Sequence, residues 1–190
     1  MDENSESIQT KSAQQEAFWR QMEGEMLPLI ARVLEVDWPE SAPQILALTS
    51  INPICPRFLN HLAFFLSYSI PHEQSAAVIT HEISHFLYFA KWKQVFPKAK
   101  PHTFDNPYVE WNLSEILAPI ILNDSRIQKI LNIPQHLYVE HRKYAIADKP
   151  MFNHFTDHYN QHRVNKSTLA DFLKTAYNDI QPLKKQLESM

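Results

Sequence analysis

Apolar side chains recur at three- and four-residue steps along much of the chain, the signature of helices with one buried face. From Ala13 to about Glu35 the positions Phe18, Met22, Met26, Ile30 and Val33 form one such stripe, closed by Trp38-Pro39. Residues 1–12 are small and polar and read as a flexible N-terminal tail, which leaves 13–190 as a single domain. The run Gln44 to Ile51 (QILALTSI) is rich in apolar and β-branched residues and predicts a strand. Phe58 to Ile70 is open between a strand and a buried helix. Pro71 reads as the first residue of a long helix reaching about Val95 and stopping before Pro97. Another helix is expected from Asn106-Pro107 to about Leu122, bent or broken at Pro119, with shorter ones over Ser125–Leu131 and Pro150–Arg163. The last begins at Thr168, where Thr168 and Asp171 fit a capping box, and its stripe is Phe172, Leu173, Ala176, Ile180, Leu183 and Leu187. No internal repeat or low-complexity linker suggests a domain boundary. The expectation is a mainly α protein, α+β with at most a small sheet.

Composition sharpens this picture. The 190 residues contain one glycine, Gly24, where average usage would give roughly thirteen. Phosphate-cradling loops and dinucleotide-binding turns need glycine, so both are excluded, and tight hairpins lose their usual residue. Thirteen prolines supply the punctuation instead, which suits joined helices. A net charge of −3 and a pI near 6.4 give no electrostatic footprint for nucleic acid or for an anionic membrane. Cys55 is the only cysteine and reads as a small buried side chain rather than half of an internal disulfide. The start, MDENSESIQT, lacks the basic and apolar regions of a signal peptide, and no apolar run reaches membrane-spanning length, so a cytoplasmic protein is expected.

The chemistry concentrates at His81-Glu82-Ile83-Ser84-His85, inside the long helix from Pro71. Residues four apart stack on one helix face, about 5–6 Å apart at Cβ, so two imidazoles there can converge on one tetrahedral zinc. Glu82 lies about 100° round the helix, where its carboxylate can reach a water on the metal without being a ligand. Zinc makes that water acidic, and Glu82 can take its proton as general base and pass it to the leaving group. A chance match to this pattern is expected about 0.04 times in a chain of this composition. Two imidazoles and a carboxylate within the otherwise apolar window Val78–Leu87 are costly to bury without a partner.

VITHEISHFL resembles the extended motif of zincin metallopeptidases, with Val78, Ile83, Ser84 and Leu87 fitting its flanking and internal positions. The resemblance covers about ten residues strongly and about the next thirty weakly. It implies His81 and His85 as zinc ligands, Glu82 as catalytic base, and a peptide or protein as substrate. The metzincin subgroup continues to a glycine and a third histidine where this chain has Tyr88 and Lys91, so that branch is excluded. In gluzincins the third ligand is a glutamate on a following helix, and Glu110 and Glu115 both stand in PYVEWNLSEILAPIIL. Glu110 falls in the first helical turn, where the helix dipole favours any carboxylate. Glu115 sits among Trp111, Leu113, Ile116, Leu117 and Ile120, where an ionised group wants a strong partner, and Pro119 removes the amide that would bond its carbonyl. LSEIL also resembles the thermolysin-type third-ligand helix, although the ligand position there corresponds to Trp111. Glu115 is preferred, while Glu110, which a helical wheel can also turn inward, and His102, Asp124 or a more distant residue stay open.

Other features read more simply. His154, His158 and His162 recur every fourth residue and fit a solvated helix face. In the functional alternative one of them, or Tyr138, His141, Tyr144 or Tyr159, lies over the metal and donates to a tetrahedral oxyanion. Lys91-Trp92-Lys93 and Lys184-Lys185 read as solvated helix ends, and the aromatic run Phe58–Tyr68 as core, with an edge that could pair with an extended peptide if it is a strand. The expected activity is zinc-dependent peptide-bond hydrolysis. Two rival expectations are an inactive zincin-fold protein that binds metal, and a helical interaction protein in which the motif is accidental.

Overall fold

The computed structural model describes residues 3–38 and 44–190. Helix α1 (Glu3–Arg20) and helix α2 (Glu23–Val33) precede strand β1 (Leu46–Ser50), strand β2 (Arg57–Phe58) and strand β3 (Ala63–Ser67). Helices α3 (His72–Val95), α4 (Val109–Leu122) and α5 (Ser125–Leu131) follow. A short hairpin, β4 (Ala145–Ile146) with β5 (Lys149–Pro150), leads to α6 (Met151–Asn165), α7 (Leu169–Ile180) and the single turn α8 (Lys184–Leu187). The protein is mainly helical with two small sheets, and none of the described helices is long and apolar enough to cross a membrane.

Helix α4 is the axis of the fold. Every one of its residues except Glu110 and Trp111 is buried, as expected for a helix that is apolar all round. It packs against α3, α6, α7 and α8, and α3 in turn packs against α1, α2, α7 and β3. The helix runs on through Pro119 to Leu122 rather than breaking there, since the surrounding core holds its last turn in place. The Asn106–Pro107 peptide before it is cis, and the Asn112 amide donates to the Pro107 carbonyl at 2.8 Å, tying the helix start to that turn.

The first sheet has the order β1-β3-β2, with β1 parallel to β3 and β2 antiparallel to it. The ambiguous run therefore contains a strand, and Ala63, Phe64, Leu66 and Ser67 are buried. Because β3 pairs along its length with β1 and at its start with β2, its own edges are occupied by this chain rather than free for a peptide. The register Arg57↔Phe64 carries Arg57 toward α3 and α4.

Several expectations need correction. Residues 3–12 are helical, not a loose tail. Glu6, Gln9 and Lys11 favour a helix there, and α1 is also docked by polar contacts that hydrophobic periodicity does not reveal. Ser12 Oγ lies 2.6 Å from Thr49 Oγ1, and the buried Gln15 amide donates to the Ser67 and Ile70 carbonyls at 3.0 and 2.8 Å. The expected helix from Ala13 to Glu35 is two helices, separated at Gln21–Met22. Pro71 is the residue before α3 rather than its first, and α7 stops at Ile180, with Pro182 inside a 3₁₀ turn before α8. Trp92 is fully buried, not part of a solvated end, while Lys91 Nζ donates to the Glu35 carbonyl at 2.8 Å. The scarcity of glycine does not remove tight turns. Ala147 and Asp148 take positive φ (49° and 61°) to close the β4-β5 hairpin, and Asn132 and Lys166 take it to end α5 and α6. The capping box at Thr168 and Asp171 is formed on both sides.

Candidate metal centre

Midway along α3 the apolar surface is interrupted by His81, Glu82 and His85, which all lie against the core. Two hydroxyls in this stretch satisfy themselves within the helix: Thr80 donates to the Ala76 carbonyl at 2.6 Å and Ser84 to the His81 carbonyl at 2.7 Å. The imidazole nitrogens meet each other instead. The rings stand one turn apart with centroids at 4.7 Å, and their Nε2 atoms approach to 3.0 Å. His85 is stacked on Phe89, and its Nδ1 has no hydrogen-bond partner.

Helix α4 brings Glu115 to the same point. Its Oε2 lies 3.4 Å from His81 Nε2 and 3.4 Å from His85 Nε2, yet accepts no hydrogen bond of normal geometry. Glu110 does not reach this place; its Oε1 accepts from the Tyr177 hydroxyl at 2.9 Å. Asp124 caps α5 and binds Arg126, and the His102 ring packs on Tyr108, so neither joins the group.

A fifth side chain at the site carries no motif in the sequence. Arg57 Nη1 donates to Glu115 Oε1 at 2.7 Å and lies 3.9 Å from Glu82 Oε2. Its Nη2 is buried without a partner. By holding Oε1, the guanidinium turns Oε2 toward the imidazoles, a positioning role of the kind that partners of ligand carboxylates perform.

The charges are set by burial and by these neighbours. Burial pushes the Glu82 carboxyl up to about 7, with Arg57 only partly opposing it. Burial, with the Arg57 cation, pushes His85 down to about 3, so its imidazole is neutral, the form that can act as a ligand. For His81 burial again acts downward, but the Glu115 carboxylate more than offsets it and raises the pKa. Burial works against ionisation of Glu115 as well, and the imidazoles and Arg57 overcome it, holding the carboxyl well below its usual range.

Whether a metal fits can be judged from the donor atoms. A tetrahedral zinc with bonds of about 2.0–2.1 Å keeps its donors about 3.3 Å apart. The three separations here are 3.0, 3.4 and 3.4 Å. Two imidazole nitrogens and an orphaned carboxylate oxygen thus match both the chemistry and the spacing of a zinc site with an open position.

The group opens into a cleft of about 870 Å³ lined by His81, Glu82, Glu115, Arg57, Tyr138 and His141, among others. Of the residues considered for an oxyanion donor, Tyr138 and His141 line this cleft, and the Tyr138 ring centre lies 6.3 Å from that of His81. Burial raises the Tyr138 phenol, which therefore keeps its proton as a donor. His141 Nε2 is 2.9 Å from Asn112 Oδ1, and burial lowers its pKa. The others point elsewhere. Tyr144 binds the Gln186 carbonyl, Tyr159 binds Asp124, and His162 binds Ser167. His154 and His158 meet Asp179 in a second cluster. No protein-family model matches the chain, and no curated protein and no solved structure matches it.

Proposed function

We propose that the chain is a zincin-like, zinc-dependent metallopeptidase of gluzincin type, with His81, His85 and Glu115 holding the metal and Glu82 acting as general base. The observation that carries this reading is the convergence of three metal-type donors at tetrahedral spacing, with Glu115 Oε2 left without a hydrogen bond. Leaving a buried carboxylate oxygen unpaired is costly, and a divalent cation between the three atoms removes that cost.

Bound zinc would supply Lewis acidity, bringing the pKa of a water near neutral and polarising a peptide carbonyl. Glu82, one residue beyond His81 and facing the same cleft, takes a proton from the attacking water and returns it to the leaving nitrogen. Arg57 keeps Glu115 oriented and balances the negative charge shared by the two carboxylates. Tyr138, beside His81, is placed to donate to the oxygen that gains charge in the transition state. The cleft volume of about 870 Å³ suits a few residues of an extended peptide.

The test is Glu82→Gln, assayed on a peptide library with zinc measured on the same sample. The variant should keep one cleft zinc and the parent's circular dichroism, while hydrolysis falls by about 10²–10⁴-fold. Equal turnover in parent and variant removes Glu82 from the mechanism. Full zinc with no cleavage by the parent makes the chain a metal-binding module instead, and no cleft zinc at all makes the motif accidental.

A further inference from the structure

Away from the cleft, His154 and His158 stand one turn apart on α6 and face Asp179 in the last turn of α7. One carboxylate oxygen, Asp179 Oδ2, lies 2.8 Å from His154 Nε2 and 3.4 Å from His158 Nδ1. The two rings are themselves close, with centroids at 4.2 Å and planes tilted by 42°. A single histidine–aspartate hydrogen bond accounts for the first contact. It does not account for a second imidazole drawn to the same oxygen and held against the first ring. Nor does it account for a carboxylate at the end of a helix, where the dipole opposes negative charge. A cation shared by all three donors accounts for the whole arrangement.

We propose that His154, His158 and Asp179 form a second, separate binding site for a late first-row divalent transition metal such as zinc. Two imidazoles four residues apart on a helix plus a carboxylate are a donor set that such ions favour over calcium or magnesium. All three side chains are partly exposed, so an ion reaches them from solvent without opening the core. The position after His154, where Glu82 stands in the cleft, is Phe155, buried in the core, and Asp157, before His158, is ion-paired with Lys149. The site therefore holds its ion rather than reacting through it, and joins α6 to α7 as a clip.

The probe is Zn²⁺ itself, titrated into the full chain against a competing chelator indicator at neutral pH. The parent should bind one zinc more than Asp179→Asn and one more than His158→Ala, with affinity at this site falling by about 10-fold or more in each. Added zinc should also raise the melting temperature of the parent more than that of either variant. Because the count is a difference between parent and variant, it is independent of what the cleft binds. A variant that fails to fold is bypassed by following the His154 and His158 ring resonances of the unaltered protein, which should shift together as this site fills. Identical stoichiometry and affinity in parent and variants overturns the proposal. So do ring resonances that stay fixed, or binding only at millimolar zinc.

Discussion

Two histidine pairs in this molecule share a spacing of four residues and a carboxylate from a second helix, and differ in almost everything around them. The side chains of His81, His85 and Glu115 are 15%, 1% and 3% exposed, whereas those of His154, His158 and Asp179 are 14%, 31% and 28% exposed. The inner carboxylate is oriented by a buried arginine, and the inner pair has Glu82 as its neighbour on a cleft. Among the described residues the outer pair shows no guanidinium contact, Phe155 takes the place that Glu82 has in the inner pair, and Asp157 beside His158 is ion-paired with Lys149. The i, i+4 geometry can gather metal ligands in either setting. Whether such a group can also do chemistry is decided by its surroundings: a base within reach of the same cavity, and burial enough to strengthen every charge in it.

The strongest way to break this comparison is to remove the carboxylate from each group and compare the losses. In chelator-treated protein, Glu115→Ala strands the Arg57 cation in the interior and should cost about 3–5 kcal/mol of unfolding free energy. Asp179→Ala removes a partly exposed partner and should cost less than about 1 kcal/mol. Chemical denaturation of both variants measures the pair of values. Similar losses would mean that the inner group is no more buried, energetically, than the outer one, and the distinction drawn above would fail.

A smaller effect is expected at Arg57. Arg57→Met removes the cation that neutralises Glu115 and Glu82 while keeping most of the side-chain volume. In chelated protein it should destabilise by about 2–3 kcal/mol. Saturating zinc should restore a larger part of that loss than the stabilisation it gives the parent, because the ion replaces the missing positive charge. Melting curves with and without zinc supply the comparison. Equal zinc-dependent shifts in parent and variant would show that Arg57 does not orient or compensate Glu115.

The inner group was readable from the sequence as far as its local spacing went. HEISH lies within one helix, so a helical wheel suffices to place His81, Glu82 and His85, and an isolated glutamate in the apolar run of α4 announces that it needs a partner. The partner itself was not readable. Arg57 meets Glu115 across 58 positions of chain and a sheet register, and no periodic pattern records such a pairing. Residues 3–12 are hard to read for a related reason: they carry no apolar stripe, and the polar contacts that Ser12 and Gln15 add to the packing of Phe18 and Trp19 exist only in the fold. The hairpin at Ala147–Asp148 carries no sequence signal because alanine and aspartate, not glycine, take the positive φ there. Sequence alone reads His154 and His158 as a solvated face because their third partner, Asp179, belongs to another helix.

A smaller loss than at Arg57, and the sharpest control on the outer group, is expected at Asp124, which belongs to neither histidine group. Asp124 Oδ1 accepts from the Arg126 amide at 3.0 Å, and its Oδ2 takes the Tyr159 hydroxyl at 3.1 Å and lies 3.5 Å from Arg163 Nε. Tyr159 and Arg163 belong to α6, so this carboxylate docks the helix that carries His154 and His158. Burial acts to raise the Asp124 pKa, but the donors prevail and lower it to about 2. The unfolded value is about 3.9, so the folded state binds its proton less readily than the unfolded chain. The stabilisation is therefore complete above the unfolded value and fades as pH falls toward about 2. Asp124→Asn keeps a capping side chain and removes the charge, and should cost about 1–2 kcal/mol at neutral pH. By about pH 3 the difference between parent and variant should have shrunk clearly, as urea titrations at the two pH values will measure. An undiminished difference at acid pH would assign the loss to packing rather than charge. The zinc count should be the same in parent and variant throughout, because Asp124 contributes to neither histidine group. A lost zinc in Asp124→Asn would mean that the outer pair depends on how α6 is docked, and its donors would then not be the independent clip inferred from their geometry.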